Sequence, residues 1–323
     1  MNAQMPARYR FDPLYKDGSG QVSRSPWGED DVIGRLNWMT AQRAHQTLSR
    51  VAAGPVYDLS VEYFIGMPAW SGSGDPKFEI WLTHTPQGNI RDGLTGVPPD
   101  VHRQYSMSAD SFLMNTHCGT HIDTLVHLGY RGRFWNGIDP ENDLGSRAWL
   151  RGGASEYPAI IARGVLLDIA AYHEVDILPA SYAITPDDIT GAAAREHLEI
   201  EEGDVVVLRT GAMRKWPTAD YLGETSGIGL AAARLLCESG AMCIGTDTVA
   251  FEVIPAERAD TFLPVHSYMF AEAGAQIIEI LNLEGLSRDQ VYEFAFIAAP
   301  IRLRGATGSP LRPVGIPVRA GSR

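Results

Sequence analysis

The stretch HCGTHIDTLVH, running from His117 to His127, places three of the chain's nine histidines and an aspartate within eleven residues. Its reading turns on backbone conformation. On a helix, at about 100° per residue, His117 and His121 share a face while Asp123 points about 240° away from His117. On an extended strand alternate side chains share a face, so His117, Gly119, His121 and Asp123 line one side. Thr120 and Ile122 favour the extended form, Gly119 disfavours helix, and the glycine leaves room in the middle of the row. Imidazoles and a carboxylate converging on one point are the common ligands of Zn²⁺, Mn²⁺ and Fe²⁺. A cysteine nucleophile at Cys118 would need a base within hydrogen-bond reach, and on a strand its neighbour His117 faces the other way. Cys118 is therefore expected to be a small buried thiol and the cluster a metal site; merely hydrogen-bonded core histidines are the plainer competing reading.

The rest of the chain is long enough to bury a large core: 323 residues, 45% hydrophobic and 20% charged. Its 27 basic and 39 acidic residues leave a net charge of −12, which argues against nucleic acid or an anionic membrane surface as partner, since both call for a basic footprint. The opening MNAQMPARYRFDP lacks the apolar core of a secretory signal, and no run approaches the ~18 apolar residues of a membrane span. Three cysteines without CxxC spacing fit a reducing, cytoplasmic compartment.

From Val56 onward short apolar runs alternate with Gly, Pro and Asp. GVLLDIA (164–170), DVVVLRT (204–210), MCIGTDT (242–248) and YEFAFIAAPIRL (292–303) read as strands from their β-branched and aromatic content. Thr40 is expected to cap a helix that ends at Gly54, and Thr185 one that runs through ITGAAAREHL. Ser226 is a candidate cap for GIGLAAARLLCESG, closed by Gly240. The pattern predicts a single α/β domain with an N-terminal elaboration. An N-terminal extension (1–54) would pack on a domain spanning 55–323.

The spacing HxGTHxDxxxH, filled by His117, Gly119, Thr120, His121, Asp123 and His127, resembles the signature of the metal-dependent cyclase family, which includes bacterial kynurenine formamidase and isatin hydrolase. The resemblance runs over roughly residues 55–317. It takes in Tyr57-Asp58-Leu59-Ser60, Gly66-Met67-Pro68-Ala69-Trp70, Ile244-Gly245-Thr246-Asp247-Thr248 and the closing GATGSPLRPVGI. Leu125 stands where many members have proline. The resemblance implies the swivelling β/α/β fold of that family, a mixed β-sheet or barrel-like core with flanking helices. It further implies that His117, His121 and Asp123 hold one divalent metal and that Asp123 bridges to a second ion completed by His266 and Glu279. His127 is implied as the unligated histidine that moves protons. Glu279 adds its own hint, being a lone acid inside the apolar run QIIEILNL, where a charge is costly without a partner.

Zn²⁺ or Mn²⁺, one or two ions per chain, is the expected cofactor. The activity that the resemblance implies is hydrolysis of an amide-type bond, in an aryl formamide or a cyclic amide, by metal-activated water with His127 as proton shuttle. A lactone hydrolase, a cyclase or dehydratase on the same site, or a non-catalytic metal-binding protein are the alternatives. Tyr63 and Trp70 are candidate walls for a small, flat aromatic substrate, and relatives suggest a homodimer or homotetramer. One competing motif, Gly223-Glu224-Thr225-Ser226-Gly227-Ile228-Gly229 before LAAARLL, fits the GxxxGxG phosphate loop of short-chain dehydrogenases. It follows KWPTADYL rather than an apolar strand, and no lysine stands four residues after a tyrosine. It is read as an ordinary loop before a helix.

Overall fold

A computed structural model describes residues 9–93 and 95–319. Residues 1–8 of the opening MNAQMPARYRFDP, read above for a leader core, lie outside them.

Nine strands form one mixed sheet: β1 (Tyr57–Asp58), β2 (His121–Asp123), β3 (Ile160–Asp168), β4 (Val205–Arg209), β5 (Cys243–Thr246), β6 (Gln276–Glu279), β7 (Glu293–Ala298), β8 (Gly308–Pro310) and β9 (Val314–Pro317). Their spatial order is β8-β2-β6-β5-β4-β3-β7-β9-β1, and the sheet curls into a half-barrel. The middle strands β3, β4, β5 and β6 run parallel, while β2, β7, β8, β9 and β1 join antiparallel. Strands covered on both faces read as unbroken apolar runs, and β4 (VVVLR) and β5 (CIGT) are buried at every position.

The period of two divides the core. Val206, Leu208 and Ile244 face a layer of helices, and Val205, Val207 and Cys243 face the side covered by Leu36, Phe294 and Phe296. The three longest helices are α1 (Ala41–Ser49), α2 (Pro186–Arg195) and α3 (Leu230–Ser239); among the shorter ones, α4 (Pro264–Ser267) runs on as a π-turn, Tyr268–Glu272. No helix among the described residues is long and apolar enough to cross a membrane.

Two of the three helix starts fall where capping chemistry puts them. Thr40 accepts a hydrogen bond from the Arg43 amide, and Thr185 forms a reciprocal box with Asp188. The ends depart from expectation. α1 stops at Ser49 rather than running to Gly54, because Val51 is already bridged to Val318. α2 stops at Arg195, two residues before His197 takes a left-handed φ of 55°. Ser226 caps nothing. Gly227–Ile228 is extended and pairs with Ala183–Ile184, so α3 starts behind Gly229, and the Leu230 amide donates instead to Glu257. Gly240 closes α3 at φ 110° as read.

The segment before β1 is fastened by a buried guanidinium. Arg35 is fully buried and donates to the carbonyls of Ala273 (2.7 Å), Cys237 (2.7 Å), Ala241 (2.9 Å) and Tyr9 (3.1 Å). Removing one partner from a buried polar group strands the others at about 1–3 kcal/mol each. Arg35→Met should therefore cost about 3 kcal/mol or more, read as a lowered urea midpoint at unchanged slope. An unchanged midpoint would show the guanidinium to be dispensable.

Candidate metal centre

The site is built on the seam between β2 and β6, where register decides who meets whom. His121 lies directly opposite Glu279, and Asp123 lies opposite Gly308 on β8. A slip of one residue would turn every one of these side chains to the other face. His121 and Asp123 do share a face through strand alternation, as expected.

His117 arrives differently. The chain before His121 is a turn rather than a strand, with Cys118 N–H donating to Asn115 O at 3.1 Å and Gly119 at φ 63°. This corrects the extended reading of the whole row. The glycine is needed for that left-handed backbone and for Tyr63, whose Cζ would lie 2.6 Å from an added Cβ; it does not clear space for an ion. Space for the His117 ring comes from Gly308, where a Cβ would stand 2.6 Å from the imidazole Cε1. Thr120 of the motif is structural, donating to Ile280 O at 2.6 Å and accepting from Val61 N–H at 3.0 Å.

The six titratable residues singled out from the sequence come together. Ligand-type atoms of His117, Asp123 and His127 lie within 4.8 Å of one another, as do those of Asp123, His266 and Glu279. Asp123 belongs to both groups. His117 Nδ1 is 2.7 Å from Asp123 Oδ1, and His121 Nε2 is 3.4 Å from Asp123 and 3.5 Å from Glu279. His266 Nε2 is 3.3 Å from Glu279. His127 stacks on His117 with ring centroids 4.0 Å apart. His121, Asp123, His266 and Glu279 are buried, whereas solvent reaches His127.

One atom tests whether a cation fits. His121 Nε2 is buried without a hydrogen-bond partner and faces two carboxylates, while His121 Nδ1 is engaged with Gly119 O at 2.8 Å. A buried polar atom without a partner is costly, and an imidazole lone pair beside two carboxylates is what a divalent ion takes up. The donor set fits.

Charge follows from the geometry. Burial opposes a proton on His121, but the nearby carboxylates of Asp123 and Glu279 outweigh it and raise the pKa to about 9. His266 is raised to about 10, because Glu252 and Glu279 together overcome its burial. Burial would raise Asp123, yet His127 and His117 hold it well below the usual carboxylate range. For His127, which stacks on His117 although solvent reaches it, partial loss of hydration and the neighbouring imidazoles outweigh the pull of Asp123 and lower the pKa. Cys118 is buried, raised to about 11 by desolvation, and directed at Met67 Sδ at 3.9 Å, so it stays a thiol as expected.

Two supporting residues escaped the sequence reading. Glu252 is fully buried and accepts from His266 Nδ1 (2.7 Å), His266 N–H (2.9 Å) and Val265 N–H (3.1 Å). It therefore fixes the ring so that Nε2 faces Glu279. Thr307 Oγ1 holds His117 Nε2 at 2.9 Å. The test applied to Glu279, a lone acid in an apolar run, would also have found Glu252 in TVAFEVIP. The glycine-rich loop proves to be the bed for this residue. A Cβ on Gly227 would lie 2.3 Å from the Glu252 carbonyl carbon, and Ile228 N–H donates to Phe251 O at 3.1 Å. Of the two candidate substrate walls, Tyr63 lies against the ligand turn, its hydroxyl donating to Thr120 O at 2.9 Å. Trp70 is 62% exposed, with its ring folded over Gly72.

A model of the Cyclase family matches residues 57–253. No curated protein sequence matches the chain. Among solved structures, one described as a novel cyclase aligns at 27% identity and a TM-score of 0.79, over 90% of this chain and 95% of its own. A predicted metal-dependent hydrolase from Bacillus stearothermophilus aligns at 25% and 0.51, over 82% and 98%. Isatin hydrolase A from Labrenzia aggregata, bound to benzyl benzoate, aligns at 24% and 0.60, over 85% and 99%, a likeness of fold.

Metal ligation needs neutral imidazole, so a proton on His121 or His266 competes with the ion. Zn²⁺ affinity should accordingly rise with pH from 6 toward 9–10, where the His121 and His266 protons leave, and calorimetry in buffers of different ionisation enthalpy should register proton release near pH 7. A pH-independent affinity would contradict this. Glu252→Ala should lower Zn²⁺ affinity about 10- to 100-fold in chelator competition, and Glu252→Gln, which keeps an acceptor oxygen, should lose less.

Proposed function

The chain belongs to the cyclase family, and from that premise we propose that it is a metal-dependent hydrolase opening an amide-type bond in a small aryl formamide or cyclic amide. The observation that carries the reading is the unpartnered His121 Nε2 among Asp123 and Glu279, with a neutral, solvent-reached His127 beside it. Zn²⁺ or Mn²⁺ would be held by His117, His121 and Asp123, with His266 and Glu279 completing a second position around the shared aspartate. The similarity to a metal-dependent hydrolase at 25% identity supports the same class.

When bound, such an ion lowers the pKa of water toward ~7 and polarises a carbonyl. The chain's own groups do the rest. Asp123, kept ionised, is available as a carboxylate at any pH near neutrality. Glu252 and Gly119 O hold the Nδ1 atoms of His266 and His121, so both rings present Nε2 inward. His127 is neutral and lies on the open side of the cluster, where it can accept a proton from attacking water. The same ring can then pass that proton to a departing amine nitrogen. A flat ring would rest against the Tyr63 side of the ligand turn.

The test is a screen of aryl formamides, isatin-like lactams and lactones, with metal content measured on the same preparation. Chelator should abolish turnover, and Zn²⁺ or Mn²⁺ should restore it. His127→Ala should lower kcat about 10²- to 10⁴-fold at unchanged metal stoichiometry. Lost metal in that variant would move His127 into the ligand set, and turnover that survives chelation would refute the reading. Hydrolysis confined to lactones would change the bond class but not the site.

A further inference from the structure

The segment SPWGEDDVIGRLNWMT (25–40) lies upstream of β1 and supplies none of the candidate metal ligands. Its polar groups nevertheless converge on one carboxylate. Asp31 Oδ1 accepts from Asn37 Nδ2 at 2.6 Å and from the amides of Ile33 and Gly34 at 3.1 and 3.2 Å, while Oδ2 accepts from Ser25 Oγ at 2.7 Å. A fifth donor arrives from across the fold, the indole N–H of Trp135 at 2.9 Å from Oδ2. Trp135 is fully buried, and its six-membered ring covers Gly274, where an added Cβ would stand 2.5 Å from it. The Gly274 carbonyl in turn accepts from Arg35 N–H at 2.7 Å. Just upstream of Gly274 is the π-turn that continues the His266 helix. Its Phe270 meets the rings of both His127 and His266, at centroid distances of 6.2 and 5.8 Å.

We propose that Asp31 is a positioning residue for His127: by holding Trp135 over Gly274 it fixes the loop that starts at His127 against the π-turn beyond His266. His127 needs such a brace. Among the described residues no hydrogen bond holds its ring, which is placed by the stack on His117 and the edge of Phe270. The link to Trp135 is stiff. Between the two residues the chain closes on itself, with Tyr130 N–H donating to Arg133 O at 2.8 Å and Arg133 N–H to Tyr130 O at 3.0 Å. A shift of Trp135 is therefore carried back to His127 instead of being absorbed by a free loop. Tyr130 Oη, donating to Asp17 Oδ1 at 2.6 Å, ties the outer end of the same loop. A carboxylate suits the post because both of its oxygens accept, whereas an asparagine would turn N–H groups toward one set of donors. The effect on rate rests on the reading of His127 as proton carrier; the effect on its placement does not.

Ring ¹H–¹⁵N spectra of the histidine-labelled full chain, recorded with Zn²⁺ present and removed, test the placement without any substrate. The His127 signals are assigned by their absence in His127→Ala. Asp31→Asn and, separately, Trp135→Phe should shift them while leaving those of His45 and His173 in place. Trp135→Phe keeps a buried ring, so it decides the matter if Asp31→Asn does not fold. Thr185→Ala, which removes the α2 cap, should lower the melting temperature yet move neither the His127 signals nor kcat. In turnover both variants should lose about 10- to 100-fold in kcat at unchanged KM and metal stoichiometry. In a His127→Ala background neither should lose anything more, because the effect passes through that ring. Unmoved His127 signals in the folded variants, equal movement in Thr185→Ala, or a kcat loss that multiplies with that of His127→Ala would overturn the proposal. Moved signals in a chain that hydrolyses no substrate would support the brace and refute the hydrolase reading alone.

Discussion

Two carboxylates, Asp123 and Glu279, are buried side by side at the β2–β6 seam, and among the described residues neither is paired with lysine or arginine. Burying like charges costs several kcal/mol unless positive charge answers them. Here only imidazoles stand within reach, which answer as cations when protonated or as neutral co-ligands when a metal takes the protons' place. The rest of the architecture around the site can be understood as holding that arrangement against its own repulsion.

The backbone bears part of this load. Phe251, Leu263 and Ile280 take left-handed φ values of 55°, 48° and 58°, which for bulky and β-branched residues costs of order 1–3 kcal/mol each. Each is near a working group: Phe251 precedes Glu252, Leu263 leads into the helix of His266, and Ile280 follows Glu279. Such strain persists only where surroundings over-determine it. The Ile280 carbonyl is gripped by Thr120, and the Glu252 segment lies in the groove cut by Gly227. Leu125 contributes as well. Its N–H donates to Tyr157 Oη at 2.9 Å, a bond that proline at this position could not make.

Much of this was legible in the residues. The ligand types, the apolar middle strands, the caps at Thr40 and Thr185 and the closing Gly240 all express local chemistry, with each signal contained in a few consecutive residues. The errors have a common origin. α1 ends early because Val51 finds a distant strand, Ser226 does not cap because its neighbours join a ladder with Ala183–Ile184, and the His117–Thr120 segment turns because Tyr63 occupies the place of a side chain at Gly119. In each case a partner far along the chain outbid a local preference.

The sequence by itself determined which atoms could bind a cation, that two of them share a strand face, and that Glu279 required a partner, because donor chemistry and strand period are local properties. Only the tertiary structure decided that His121 faces Glu279 and that Glu252 and Thr307 orient the rings. Those facts depend on register and on contacts between separate segments, from fourteen positions apart for Glu252 and His266 to 190 for His117 and Thr307, and no spacing within a single segment encodes them.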